Sequence, residues 1–253
     1  MKESISTLRR YELKYHLTKE QLSYFYEAIQ EYMEVDQFGL TSIASLYFDT
    51  PNNTLLNHSI EKPEYKEKIR LRSYGLASKD SKLYLELKRK VEGIVYKRRI
   101  DLTEEEANLL INKGKSTQKG QINEELEAFI KKYPHLEPQY LVIYDREAFY
   151  KKDSDIRITI DRNPRYRINK LNLHTSLEGN NLLDEGEAIL EIKIQNALPL
   201  WLVHILSEGR IYHSSFSKVG TAYMLEKAHL RNKVTQQEST YMKKGEYQYG
   251  LAI

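Results

Sequence analysis

Through much of the chain apolar and charged residues alternate one for one, the period of a strand with a dry face and a wet face. Tyr11, Leu13, Tyr15 and Leu17 alternate with Arg10, Glu12, Lys14 and His16. In 65–75, Lys68, Arg70 and Arg72 oppose Ile69 and Leu71; in 82–90, Tyr84, Glu86, Lys88 and Lys90 oppose Leu83, Leu85 and Leu87. Residues 138–150 put Tyr144, Arg146 and Ala148 on one face, and 155–163 set Arg157, Thr159 and Asp161 against Ile156, Ile158 and Ile160. In 187–195, Glu191 and Lys193 oppose Ala188, Leu190, Ile192 and Ile194. Segments 42–49 and 94–102 also read as strands, with a hairpin turn at Val91-Glu92-Gly93. Arg98 and Arg99 are consecutive, so only one of them can face inward.

Helical spacing is sparser. Thr18 caps a helix carrying Leu22, Phe25, Ile29 and Met33, and Thr103 caps another closed by Gly114. Residues 122–133 end before Pro134, Pro199 opens a helix closed by Gly209, and 216–229 form the last. Thr50-Pro51-Asn52-Asn53 is a turn or helix start, 164–186 a polar loop, and 231–253 a polar tail that frays. No linker rich in Pro, Gly or Ser divides the chain, so residues 1–230 are expected to form one α+β domain followed by the tail 231–253.

The wet faces are unusual in carrying Lys, Arg and Glu where ordinary open sheets also use Thr, Ser and Gln. The arrangement recurs on strands far apart in sequence. If the sheet closes on itself, with charged faces inward and helices packed outside, the interior is a cationic tunnel. Like charges at that density need water and a polyanion. A chain of phosphates, with a divalent metal on the carboxylates, would supply the missing charge.

Composition narrows the classes. The chain has 253 residues, 40% hydrophobic and 30% charged, with 20 tyrosines, which excludes a disordered chain. The net charge is only +3, so placement of the cations matters more than their number. The absence of cysteine removes disulfides, thiolate zinc sites and cysteine nucleophiles. The first residues lack the apolar core of a signal peptide and no apolar run spans a bilayer, so a cytoplasmic location is expected. No Gly-x-x-x-x-Gly-Lys-Ser/Thr loop is present. His58, His174, His204 and His213 lack paired ligands. Cations interleaved with glutamates fit a lined cavity better than a surface stripe, so nucleic acid is not an expected partner. Glu86 is either a metal contact or a partner for a tunnel cation, and Asp161 either a second site carboxylate or a salt-bridge partner.

The stretches KYHL (14–17), SLYFDTPN (45–52), IRLRSYG (69–75), ELKRK (86–90), KRRIDL (97–102), YDREAF (144–149), RITID (157–161), ILEIKIQ (189–195) and FSKV (216–219) carry a resemblance. Together they resemble the polyphosphate polymerase domain of the vacuolar transporter chaperone family, a branch of the triphosphate tunnel metalloenzymes. The resemblance implies a closed antiparallel β tunnel of about eight strands with helices packed outside, ATP as phosphoryl donor, manganese or magnesium as cofactor, orthophosphate or polyphosphate as acceptor, and linear polyphosphate as product with ADP released. It implies phosphate contacts from Lys14, Arg70, Arg72, Lys88, Lys97, Arg146, Arg157 and Lys218. Tyr144 and Ser217 would hydrogen-bond phosphate oxygens, Lys90 joins them as a substrate-binding candidate, and Glu191 would hold the metal. Relatives with other activities carry Glu-x-Glu-x-Lys on the first strand. Here that strand reads Arg10-Tyr11-Glu12-Leu13-Lys14, a departure that agrees with the polymerase branch. An inorganic triphosphatase or polyphosphatase, and a non-catalytic polyphosphate-binding module, are the alternatives. Coupling to translocation would need a separate membrane partner.

Overall fold

The period-two segments assemble into one antiparallel sheet. The computed structural model of the chain describes residues 11–61, 64–92 and 94–249. Its strands are β1 (Tyr11–Leu17), β2 (Glu34–Val35), β3 (Thr41–Asp49), β4 (Tyr65–Tyr74), β5 (Leu83–Val91), β6 (Ile94–Leu102), β7 (Glu137–Tyr150), β8 (Arg157–Arg167), β9 (Asn180–Asn181) and β10 (Ala188–Ile194). The helices are α1 (Lys19–Ile29), α2 (Thr54–Ile60), α3 (Glu104–Lys113), α4 (Gln121–Lys132), α5 (Leu200–Glu208) and α6 (Lys218–Tyr249). Eight strands run in the order β1-β10-β8-β7-β3-β4-β5-β6, with β2 beside β7 and β9 beside β8. This is the expected α+β architecture, an eight-strand antiparallel sheet curled strongly into a half-barrel.

Among the described residues hydrogen bonding stops short of complete closure, because the end strands β1 and β6 do not pair with each other. Instead the connection from α5 to α6 follows the free edge of β1. His213 bridges Tyr15, and the Ser214 amide donates to the Lys14 carbonyl at 2.8 Å. Across the remaining gap, Lys88 of β5 reaches Glu12 of β1 at 3.6 Å. Side chains of strands that are not neighbours in the sheet thus meet on the charged face, which marks it as the inner face of the curl.

The dry face is covered in two layers. Leu71, Leu85 and Ile100 pack under Leu110 of α3 and Leu126 and Phe129 of α4. Leu17, Ile158, Leu190 and Ile192 pack under Phe25 and Ile29 of α1 and Leu202 and Leu206 of α5. Each such fully buried side chain contributes about 1.5–3 kcal/mol. The caps are those the sequence indicated: Thr18 and Thr103 form capping boxes with Gln21 and Glu106, and Gly114 takes the left-handed conformation after α3. Arg98 faces outward to Glu125 at 2.8 Å, and Arg99 faces in.

Three expectations change. Not every helix is outside: Val219, Ala222 and Tyr223 of α6 and Leu56 of α2 pack on Ile43, Tyr140, Val142 and Tyr144, an apolar strip on the inner face. α6 also runs on through 231–249, beyond the expected end at 229. The 164–186 loop is partly structured, since β8 continues to Arg167 and pairs with β9 at Tyr166–Asn180. Pro164 has no amide donor, and β7 carries a bulge between Ile143 and Asp145 where the ladder passes it. Gly93, in the expected hairpin turn, and Arg10, in the first-strand motif, lie outside the described residues. Among the described residues no helix is long and apolar enough to cross a membrane.

Candidate functional site

Two carboxylate-centred clusters lie on the inner face, joined through Tyr144. In the first, sheet register sets Glu191 of β10 between Lys14 of β1 and Thr159 of β8, and Asp161 of β8 opposite Arg146 of β7. Arg146 forks onto Asp161, with Nε to Oδ1 at 2.5 Å and Nη2 to Oδ2 at 2.7 Å, and Nη2 also reaches Glu191 at 3.2 Å. Lys218, in the first turn of α6, contacts Asp161 directly and Glu191 at 3.6 Å. Lys14 and Lys193 complete the shell of Glu191 at 3.2 and 3.6 Å. Burial alone would push the Glu191 carboxyl up, but Lys218, Arg146, Lys14 and Lys193 outweigh it and hold it well below its ordinary value. Asp161 is also lowered, burial being overcome by Lys218 and Arg146.

The second cluster surrounds Glu86 of β5. Arg70 donates to it through Nε at 2.8 Å, Lys97 contacts its other oxygen at 2.6 Å, and Arg72 lies at 3.6 Å. Burial raises the Glu86 carboxyl, yet Arg70, Arg72 and Lys97 bring it down to about 2. Arg70 also donates to the Tyr47 hydroxyl at 2.9 Å, and Arg72 to the Tyr144 hydroxyl at 3.2 Å. The Tyr144 ring lies 5.1 Å from the Arg146 guanidinium and 4.6 Å from the Lys218 ammonium, so one side chain touches both clusters.

Lys68, Lys88 and Lys97 stand abreast on β4, β5 and β6. Like charges directly opposite one another are unfavourable. Lys97 is relieved by Glu86 and Lys88 by Glu12, whereas Lys68 meets no carboxylate among the described residues and donates to Ser217 Oγ at 3.1 Å. Burial, with Lys66, Lys88 and Lys14 nearby, pushes Lys68 down to about 8 despite the pull of Tyr47. Ser217 caps α6 as well, accepting from the Gly220 amide at 3.3 Å.

Ten of the twelve residues singled out from the sequence therefore gather here: Lys14, Arg70, Arg72, Lys88, Lys97, Tyr144, Arg146, Glu191, Ser217 and Lys218. Arg157 does not, although it shares a face with Thr159 and Asp161. It sits at the end of β8, is 57% exposed, and pairs with Asp36 at 3.1 Å. Lys90 is on the inner face opposite Lys66, toward the β5–β6 turn. Two further residues join the site: Tyr47, whose sequence signal is its place two residues after Ser45 in SLYFD, and Lys68, expected on the charged face by its alternation with Arg70 and Arg72 but not among the phosphate contacts that the resemblance implies. Ser45 Oγ, Arg72 Nε and Thr159 Oγ1 are buried on this face without a hydrogen-bond partner, as expected of groups that await ligand oxygens or water.

A metal finds a partial set of donors. Among the described residues no three carboxylates or histidines converge. Glu191, with Glu12 on the adjacent strand, offers hard oxygens that suit manganese or magnesium. Phosphate and water would complete the shell. Both carboxylates are ionised, because Glu12 is also lowered: burial and Glu191 raise it, and Lys88, Lys14 and Lys193 overcome them.

A family profile for the VTC domain matches residues 9–227. The chain belongs to the VTC domain family. No curated protein matches it in sequence. A candidate adenylate cyclase of Bacillus halodurans is similar in structure, with TM-score 0.51 and 14% identity over 81% of this chain and 92% of that one. A candidate adenylyl cyclase of Hippeastrum, whose dominant activity is triphosphatase, gives TM-score 0.50 and 15% identity over 83% and 93%. These likenesses show the triphosphate-tunnel fold for this VTC domain.

Proposed function

We propose that this VTC domain is an ATP-dependent polyphosphate polymerase. The observation that carries the proposal is the surplus of inward cations around three buried carboxylates, which only a polyanion would neutralise. Arg70, Arg72 and Lys97 would hold phosphates of the donor, and Arg146, Lys218 and Lys14 those of the acceptor chain. A terminal phosphate oxygen of the acceptor attacks the γ-phosphorus of ATP. The bond from that phosphorus to the β,γ-bridging oxygen breaks, and ADP leaves. Guanidinium forks and lysines stabilise the charge on the transferring group without covalent help. A divalent ion on Glu191, when bound, would add charge neutralisation at the same phosphates. Water in place of the acceptor would give orthophosphate, the triphosphatase outcome.

The test is incubation with ATP and manganese followed by phosphorus NMR. Internal polyphosphate resonances are expected; orthophosphate as sole product would overturn the polymerase reading in favour of hydrolysis. Glu191→Gln keeps the side-chain shape and removes its charge. This variant is expected to bind inorganic triphosphate as the parent does and to lose manganese-dependent ADP release. ADP release at the parent rate would remove Glu191 from the metal site.

A further inference from the structure

Beside Glu86, where β4 ends and β5 begins, three side chains form a platform that borders the phosphate contacts, Tyr74 next to Arg72 and Arg99 next to Glu86. The Arg99 guanidinium lies over the Tyr84 ring, 3.8 Å from its centroid. The Tyr74 ring meets Tyr84 edge-on, with centroids 5.5 Å apart and planes at 79°. Arg99 Nη2 donates to the Tyr74 hydroxyl at 3.5 Å. Sheet register makes Arg72 the neighbour of Tyr84, and Glu86 the neighbour of Arg99. Packing of an arginine on a tyrosine would by itself explain Tyr84 and Arg99. It does not explain why Tyr74 and Leu76 remain 48% exposed beside them, or why the Arg99 side chain, which also lies 5.8 Å from the Tyr74 ring centroid, is itself 36% exposed.

We infer that this platform receives the nucleobase of the phosphoryl donor. The inference rests on the reading of the inner face as a nucleoside triphosphate site. The base stacks on the outer face of the Arg99 guanidinium, which is itself layered on Tyr84, and Tyr74 walls one side. A delocalised planar cation backed by an aromatic ring suits the π-face of any base. Such stacking is tolerant of base identity, so adenine and guanine nucleotides are both accepted. The triphosphate then runs from the platform onto Arg72, Arg70 and Lys97. This fixes a polarity: the nucleoside lies at the Tyr84 end of β5, and the acceptor chain lies toward Lys88 and Lys90.

Calorimetry with ATP and with inorganic triphosphate tests it, because only ATP carries a base. Tyr74→Ala and Arg99→Lys are each expected to weaken ATP binding roughly tenfold, within the range measured for loss of one stacked base. Inorganic triphosphate affinity is expected to stay within about twofold. Arg99→Lys keeps the charge and removes the planar face, and Tyr74 is exposed enough that its loss spares the core; circular dichroism melts confirm both folds. Equal weakening of the two ligands, or no weakening of ATP, overturns the platform. A selective loss of ATP affinity in a protein that makes no polyphosphate would leave the platform standing and remove the polymerase reading. Polyphosphate synthesis with no selective loss would do the reverse.

Discussion

Glu86 is 2% exposed and carries three cations, so it works as an internal stand-in for phosphate. Glu86→Gln leaves Arg70, Arg72 and Lys97 crowded without a counter-charge. Removing one partner of a fully buried pair costs about 3–5 kcal/mol. Lys97 is 47% exposed, so about 2–3 kcal/mol is expected here, read from urea unfolding. Inorganic triphosphate should restore more stability to the variant than it adds to the parent. The sign with pH follows from the depressed carboxyl. An unfolded Glu86 takes up its proton near 4.5, the folded one near 2, so its contribution is full above 4.5 and fades as pH falls toward 2. The parent should therefore lose more stability than Glu86→Gln across that window. Lys68 works in the opposite sense. Burial and the nearby Lys66, Lys88 and Lys14 push it down, Tyr47 pulls it up, and its ammonium donates a hydrogen bond to Ser217 Oγ. In the free protein it discharges above about 8, so triphosphate binding should take up a proton and weaken from pH 7 to 9.5. Lys68→Met should flatten that slope, and the difference between the two proteins cancels the titration of the ligand. That these residues face inward was legible, because alternation alone assigns Glu86, Arg70 and Glu191 to one side. Which carboxylate meets which cation was not legible, because that depends on register between strands distant in the chain.

Strands and caps were the most readable elements. Thr18 and Thr103 declare their helices through short-range hydrogen bonds, and one dry face against one charged face gives the strand period. β9 was invisible, because a strand of two residues is defined by its partner and has no pattern of its own. Its place depends on Gly179, where an added Cβ would lie 2.6 Å from the Tyr166 carbonyl oxygen and 3.1 Å from its amide nitrogen. Both are backbone atoms and cannot rotate away. Gly179→Ala should cost about 1–3 kcal/mol. Amide hydrogen exchange should quicken at Tyr166 and Asn180 before the rest of the sheet responds. The position of α6 was hidden for a different reason. Val219, Ala222 and Tyr223 announce a buried face, but only the curled sheet reveals that the surface they cover is the inner one.

At the scale of the whole molecule, the half-barrel follows from outer apolar layers that bend the sheet and an inner face too charged to collapse. Arg157 shows where a parity argument stops: it belongs to the inner face by alternation, yet the strand end carries it out to Asp36. That β1 and β6 do not pair with each other has a further consequence. A fully hydrogen-bonded cylinder admits a polymer only by threading its end. This wall has a slit along its length, bridged by Glu12 and Lys88 and overlain by a strap fastened at Tyr15–His213 and Lys14–Ser214. The base of the strap is anchored by Gln21 on the Gly209 and Arg210 carbonyls and by buried Ile211, so only the contacts of residues 213–216, including Lys14 Nζ on the Phe216 carbonyl, need part for a long phosphate chain to be laid in sideways. Polyphosphate blocked at both ends by bulky groups should therefore still bind. With cysteines at positions 12 and 88 of this otherwise cysteine-free chain, a thiol cross-link should exclude it relative to the uncross-linked form of the same variant, while inorganic triphosphate binds the two forms alike.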